Sequence, residues 1–174
     1  LKLILYGLFI KVVLADGIAG WVDEGFAVHN YAKNSAIDNW TLAFGFGFQI
    51  YFDFAGYSMV AIGSGRLFGL FLPTNFKFPY ISRTPRDFWQ RWHISLSTWL
   101  RDYLYIGLGG SRRGRLRTYR NLLLTMLLGG LWHGAGWTFI LWGAFHGAGL
   151  AGERLLADRR GNVTPSRAAR IWHT

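Results

Sequence analysis

Gly129-Gly130-Leu131-Trp132-His133-Gly134-Ala135-Gly136-Trp137 lies inside an apolar segment that runs from about residue 122 to 151. It sets one histidine between two tryptophans and among four glycines. An ionisable side chain in an apolar span is costly, and within a bilayer such a group lines a protein-enclosed or water-filled cavity, so His133 is a functional candidate by default. The glycines permit either close helix packing or a break that frees backbone polar groups around the imidazole. The plainer alternative is a buried histidine that hydrogen-bonds a neighbouring helix and only fixes packing. Arginines stand on both sides of the segment, Arg112 to Arg120 before it and Arg154, Arg159, Arg160, Arg167 and Arg170 after it. Arginine-rich loops face the cytoplasm. If both flanks do so, the segment is a broken hairpin turning near residues 133–136, with His133 deep in the membrane.

The composition agrees with a membrane setting. Of 174 residues 51% are hydrophobic and 18% aromatic, with nine Trp and fourteen Phe, which is not the make-up of a typical soluble domain. The net charge of +10 sits between apolar segments and does not form one basic face. Positive-inside bias therefore accounts for it, and a nucleic-acid partner is not expected. There is no cysteine, which excludes disulfides, thiolate metal sites and a cysteine-linked acyl intermediate on this chain. The chain opens at Leu1 already inside an apolar run, without the charged n-region and cleavage site of a signal peptide, and reads as an internal piece of a longer protein.

Outward from the central motif, residues 1–22 read as a spanning helix loosened at its far end by Gly17 and Gly20, and residues 23–39, including His29, as a polar external loop. Residues 40–63 are long enough to cross a bilayer and hold Gln49 and Asp53. A carboxylate there is expected to face other helices, as structural glue or as a functional group. Residues 66–83, with Pro73 and Pro79, read as an interfacial segment. Thr84 then offers an N-cap, Pro85 the first helical position and Asp87 a first-turn acid, so a helix is expected from there to about Ile106. Phe88, Trp92, Leu96, Trp99 and Tyr103 would line one side, and Arg86, Gln90, His93, Ser97 and Arg101 the other. That polar side is either an interfacial face meeting headgroups or the wall of a reaction chamber. In the second case His93 and Ser97 contact substrate and the arginines hold donor phosphates. Residues 107–119 form a glycine and arginine loop without a P-loop motif, and the tail after Asp158 has no strong pattern.

Asp87-Phe88-Trp89-Gln90-Arg91-Trp92-His93-Ile94-Ser95-Leu96-Ser97-Thr98-Trp99-Leu100-Arg101-Asp102-Tyr103-Leu104-Tyr105, followed by Leu131-Trp132-His133-Gly134, closely resembles the membrane-bound O-acyltransferase (MBOAT) family in its bacterial alginate O-acetyltransferase branch. Phe52-Asp53-Phe54-Ala55-Gly56-Tyr57-Ser58 fits the same branch, and the likeness covers residues 1–155, taken as a partial acyltransferase domain, with 156–174 a loop or the start of a further segment. The resemblance implies an all-α, multi-pass protein of the bacterial inner membrane, with re-entrant and interfacial helices around a tunnel. It implies transfer of an acyl group from a cytoplasmic donor, acetyl-CoA or an acyl carrier thioester, toward an exported polysaccharide or extracytoplasmic partner proteins, without a tightly bound cofactor. The family's catalytic histidine matches His133 and its second important histidine matches His93. His146 falls in a Phe-His-Gly match and joins Ser97, Arg86, Arg101, Gln90 and Asp53 as substrate-binding candidates. Two departures stand out: many relatives carry an acidic residue at the position of Met59 and a proline at that of Gly107.

Two other functions use the same residues. A membrane metal or haem protein would take His93, His133 and His146 as ligands, and purified protein without bound metal would remove it. A proton-coupled transporter would relay protons through Asp53 and the histidines, and flux without acyl transfer would favour it.

Overall fold

The computed structural model describes residues 1–27, 30 and 33–161. The expectations for His29 and for most of the tail fall outside these residues. Among the described residues every regular element is a helix. They group into two compact units, Leu1–Asn75 and Phe76–Thr174.

The first unit begins with one continuous helix, Lys2–Phe26, made of α1 (Lys2–Phe9), a wider π-wound stretch (Ile10–Ala15) and α2 (Asp16–Phe26). Its 25 residues are about 38 Å long, enough to cross a bilayer. Among the described residues it is the one helix that is both long and apolar enough to do so. Helix α3 (Ala36–Leu67) reaches further in both directions than the expected span over 40–63, and it shortens the external loop on its N-terminal side. The reason is a capping box. Ser35 Oγ accepts the Asp38 N–H at 3.2 Å while Asp38 Oδ2 accepts the Ser35 N–H at 2.9 Å, satisfying two donors at the helix start. α1 and α3 meet backbone to backbone at Gly7 and Gly56, where a Cβ on either would lie 2.6–2.7 Å from the other's carbonyl oxygen. Asp53 on α3 pairs with Lys11 Nζ at 2.9 Å, and the same ammonium reaches Asp16 Oδ1 at 2.5 Å.

In the second unit, the expected N-cap is present at the start of α4 (Pro85–Arg91), where Thr84 Oγ1 accepts the Asp87 N–H at 3.1 Å. Arg91 hydrogen-bonds the Asp87 carboxylate and holds it below the usual carboxylate range. The single helix expected from Thr84 to Ile106 is not what forms. The chain breaks at Trp92 and His93, resumes as α5 (Ile94–Trp99), and continues in a π-wound stretch (Leu100–Tyr105). His93 takes left-handed backbone angles, φ 43 and ψ 56, so the two-faced pattern drawn across one helix does not survive. Trp99 and Tyr103, assigned to its apolar side, are exposed, and Ser97, assigned to its polar side, is buried.

α6 (Arg115–His133) and α7 (Trp137–Arg159) form the broken hairpin read from the arginine flanks, with the break at residues 134–136. Both roles expected of the glycines are realised, at different positions. Gly134 and Gly136 occupy the break, while Gly130 on α6 and Gly143 on α7 let the two helices touch. A Cβ on Gly130 would collide with the Phe139 carbonyl oxygen, and one on Gly143 with that of Met126. Within α6, Asn121 is fully buried, and its Nδ2 donates to Leu108 O at 3.2 Å and Gly110 O at 3.0 Å, which ties the glycine loop to the hairpin. Helix α7 runs on through residues 156–159. There Asp158 accepts the Tyr119 hydroxyl at 2.9 Å and Arg154 Nε at 3.1 Å.

Candidate active site

All three candidate histidines lie in the second unit, each at a place its local sequence creates. His133 is the last residue of α6, so the glycine break that ends the helix leaves its ring at the tip of the hairpin, exposed on the unit's surface. His146 sits within α7, half-buried. His93 is the corner between α4 and α5. The Trp92 N–H closes α4 on Phe88 O at 2.8 Å, and His93 O accepts the Ser97 N–H at 2.9 Å to open α5. Left-handed angles at a residue other than glycine cost of order 1–3 kcal/mol, and persist where the surroundings over-determine them. Here both helix ends are closed by hydrogen bonds, and Trp92, the residue before the corner, packs against the buried cluster of Trp89, Met126 and Leu150.

Two tryptophans connect the histidines. The Trp132 ring lies 5.1 Å from His133 and 6.5 Å from His93 between centroids. Trp142 stands edge-on to His133 at 5.2 Å and to His146 at 4.6 Å. His146 also stacks on Phe88 at 5.9 Å and meets the edge of Trp89 at 5.2 Å. The three imidazoles are thus interleaved with indoles, an arrangement that orients rings by edge-to-face contact. Among the described residues no three His, Cys, Asp or Glu side chains are grouped to hold one metal ion.

The remaining candidates separate. Arg86 is engaged with Glu153 of α7, its backbone N–H donating to Oε2 at 2.9 Å and its guanidinium 3.4 Å from Oε1. Arg101 forms a two-pronged pair with the adjacent Asp102, at 2.6 and 2.9 Å. Ser97 is buried and donates to Trp92 O at 3.1 Å. Gln90 is half-buried on α4. Asp53 belongs to the first unit with its Lys11 partner. An open groove of about 450 Å³ runs beside His146, lined also by Ser82, Arg83, Thr84, Phe88 and Phe145. The arginine at this groove is therefore Arg83, which sequence reasoning did not single out. It also missed Trp142, although that residue sits four positions before His146, the spacing that puts two side chains on one helix face.

Residues 1–167 match the family described as MBOAT, membrane-bound O-acyltransferase. Over 150 residues the chain is 56% identical to a probable alginate O-acetylase AlgI from Pseudomonas putida, which covers 86% of this chain and 30% of that protein. It is 51% identical over 148 residues to a peptidoglycan O-acetyltransferase from Helicobacter pylori, covering 85% of this chain and 28% of the relative. With a teichoic acid D-alanyltransferase from Streptococcus thermophilus the identity is 36% over 158 residues, covering 86% and 38%. The chain therefore spans roughly a third of the length of these relatives. On the breadth of the match and the identity to several relatives, the chain belongs to the membrane-bound O-acyltransferase family.

Proposed function

We propose that this chain is the histidine-bearing part of a multi-pass inner-membrane O-acyltransferase, with residues 1–155 inside its catalytic domain. It moves an acyl group, acetyl above all, from a cytoplasmic thioester, acetyl-CoA or an acyl carrier, to a hydroxyl of an exported polysaccharide such as alginate or of an extracytoplasmic partner. The observation that carries this reading is the juxtaposition of His93 and His133 through Trp132, at the tip of a broken hairpin. The names of the relatives support the reaction class. They describe acetyl or alanyl transfer involving alginate, peptidoglycan and teichoic acid.

In this reading His133 takes the proton of the acceptor hydroxyl as its oxygen attacks the thioester carbonyl. The new C–O bond forms, the C–S bond breaks, and the proton passes to the departing thiolate. A positioned imidazole contributes roughly 10²–10⁴-fold to such a step. His93 positions or polarises the carbonyl, and the indoles keep both rings aimed. No covalent enzyme intermediate is needed. In the full-length protein, His133→Ala should abolish acyl transfer with expression and membrane insertion intact, while His93→Ala lowers it strongly and leaves some turnover. Near-normal ester content of the polymer with His133→Ala would remove His133 as the base.

A further inference from the structure

In the first unit one ammonium serves two carboxylates. Lys11 Nζ reaches Asp16 Oδ1 at 2.5 Å and Asp53 Oδ1 at 2.9 Å, so the cluster carries a surplus negative charge. The winding of the helix assembles it. Residues five apart on an α-helix point ~140° away from each other, whereas in the π-wound stretch the Asp16 N–H closes on Lys11 O and brings both side chains to one face. Lys11 also stands where α3 crosses, since a Cβ on Gly56 would lie 3.0 Å from the Lys11 backbone nitrogen, and Asp53 is within reach of its ammonium. Lys11 and Asp16 fall on either side of Leu14, the middle residue of the helix Lys2–Phe26, within about 5 Å of it along the axis. All three charged side chains are 41–52% exposed in this chain.

The chemistry of this face selects what covers it. Charged side chains near the middle of a bilayer turn toward protein or a water-filled cavity, which rules out lipid. Water suits it poorly, because Leu8, Ile50 and Tyr57, one turn from the cluster on the same helices, are also exposed and make an apolar rim. A second copy of the same face would set one surplus negative charge against another. An apolar helix bearing one cation satisfies both rim and centre. We propose that a further membrane helix of the full-length protein packs on this face and sets one Lys or Arg against Asp16 and Asp53, closing a cluster of two acids and two bases. This chain spans roughly a third of the length of its relatives, which leaves ample chain to supply that helix. The proposal rests on the multi-pass part of the reading above and not on its chemistry, so its test reads accessibility and melting, and acyl transfer by the same preparations reports on that reading separately.

The test uses the full-length protein, one copy per lipid nanodisc, with a spin label on Tyr57→Cys as its one cysteine. The label should be shielded both from molecular oxygen, which concentrates in lipid, and from a water-soluble nickel chelate. Ready access of oxygen would put lipid on this face and ready access of the chelate a water-filled cavity, and either overturns the proposal. A charge series decides the same point without the label. With the fourth charge present, Asp16→Asn leaves two bases on Asp53 alone, and adding Lys11→Met restores one base to one acid, so the double variant melts above Asp16→Asn. Without it, Asp16→Asn leaves a balanced pair of Lys11 and Asp53 and melts at or above the wild type, and adding Lys11→Met strands Asp53 and lowers the melting temperature. That second order overturns the proposal. If only the double variant accumulates, the order is the proposed one, and if neither does, the label carries the test alone.

Discussion

Replacing Gly143 by alanine adds one methyl where the α6–α7 seam has no room for it. The new Cβ would run into the carbonyl oxygen of Met126 and come within 3.1 Å of Leu127 Cα. Both obstacles are backbone atoms inside a helix, so no rotamer change relieves the clash and the helices must separate. Overpacking of this kind costs typically ~1–3 kcal/mol. Helix propensity works the other way, since alanine is favoured over glycine inside a helix by roughly 0.5–1 kcal/mol. The seam should therefore lose about 1–2 kcal/mol on balance. Gly152→Ala supplies the control on the same helix, because a Cβ there meets nothing within 4 Å and only the propensity gain remains. Thermal melting of the full-length protein in micelles should show Gly143→Ala several degrees below the wild type and Gly152→Ala at or above it. Acyl transfer should fall with Gly143→Ala as well, since Trp142 and His146 on α7 shift against His133 on α6. If the two alanine variants melt alike, the close approach of the helices is not what this glycine provides.

Asp53→Asn weakens the pair with Lys11 and should lower the amount or activity of folded full-length protein. Wild-type expression and turnover would contradict a structural role for that carboxylate. Cysteines introduced at Ser82 and Ser111 report the side on which the loops around residues 83–86 and 112–120 lie, and both should resist an impermeant thiol reagent added outside intact cells. Asn121→Leu removes the donor to Leu108 O and Gly110 O. It should destabilise by ~1–3 kcal/mol, read as a lower melting temperature and faster proteolysis in the glycine loop. Asp87 has its carboxyl held below the ordinary value of about 4 by Arg91, so its contribution is fully present above that value and lost as pH falls through the lower folded value. Acid unfolding of Asp87→Asn should accordingly show a shallower loss in that range, and an unchanged acid limb would count against it.

What sequence alone determined was set by signals that act over a few residues. Thr84, Pro85 and Asp87 start a helix because a side chain, a fixed φ and an acid meet the first turn's free N–H groups, all within four positions. The hairpin was legible over a longer range, because arginines flank the apolar run on both sides and its glycines offer the break. His133 stands out as a candidate in the sequence because an ionisable ring in such a run needs a protein cause. The Ser35 and Asp38 capping box was written with equal clarity and was passed over, which is why α3 starts earlier than expected.

The tertiary structure decided the break at His93, since nothing in Trp92-His93-Ile94 announces left-handed angles at a residue other than glycine. That residue has hydrogen bonds closing a helix on each side, and its ring lies beside Trp132, far along the chain. It also decided which polar groups are committed. Arg86 meets Glu153 across 67 positions, and Trp89 meets His146 across an interval that no helical or strand period connects. Periodicity reports which way a side chain points along its own element; which residue waits there depends on how the elements pack, and contacts of that range leave no local trace.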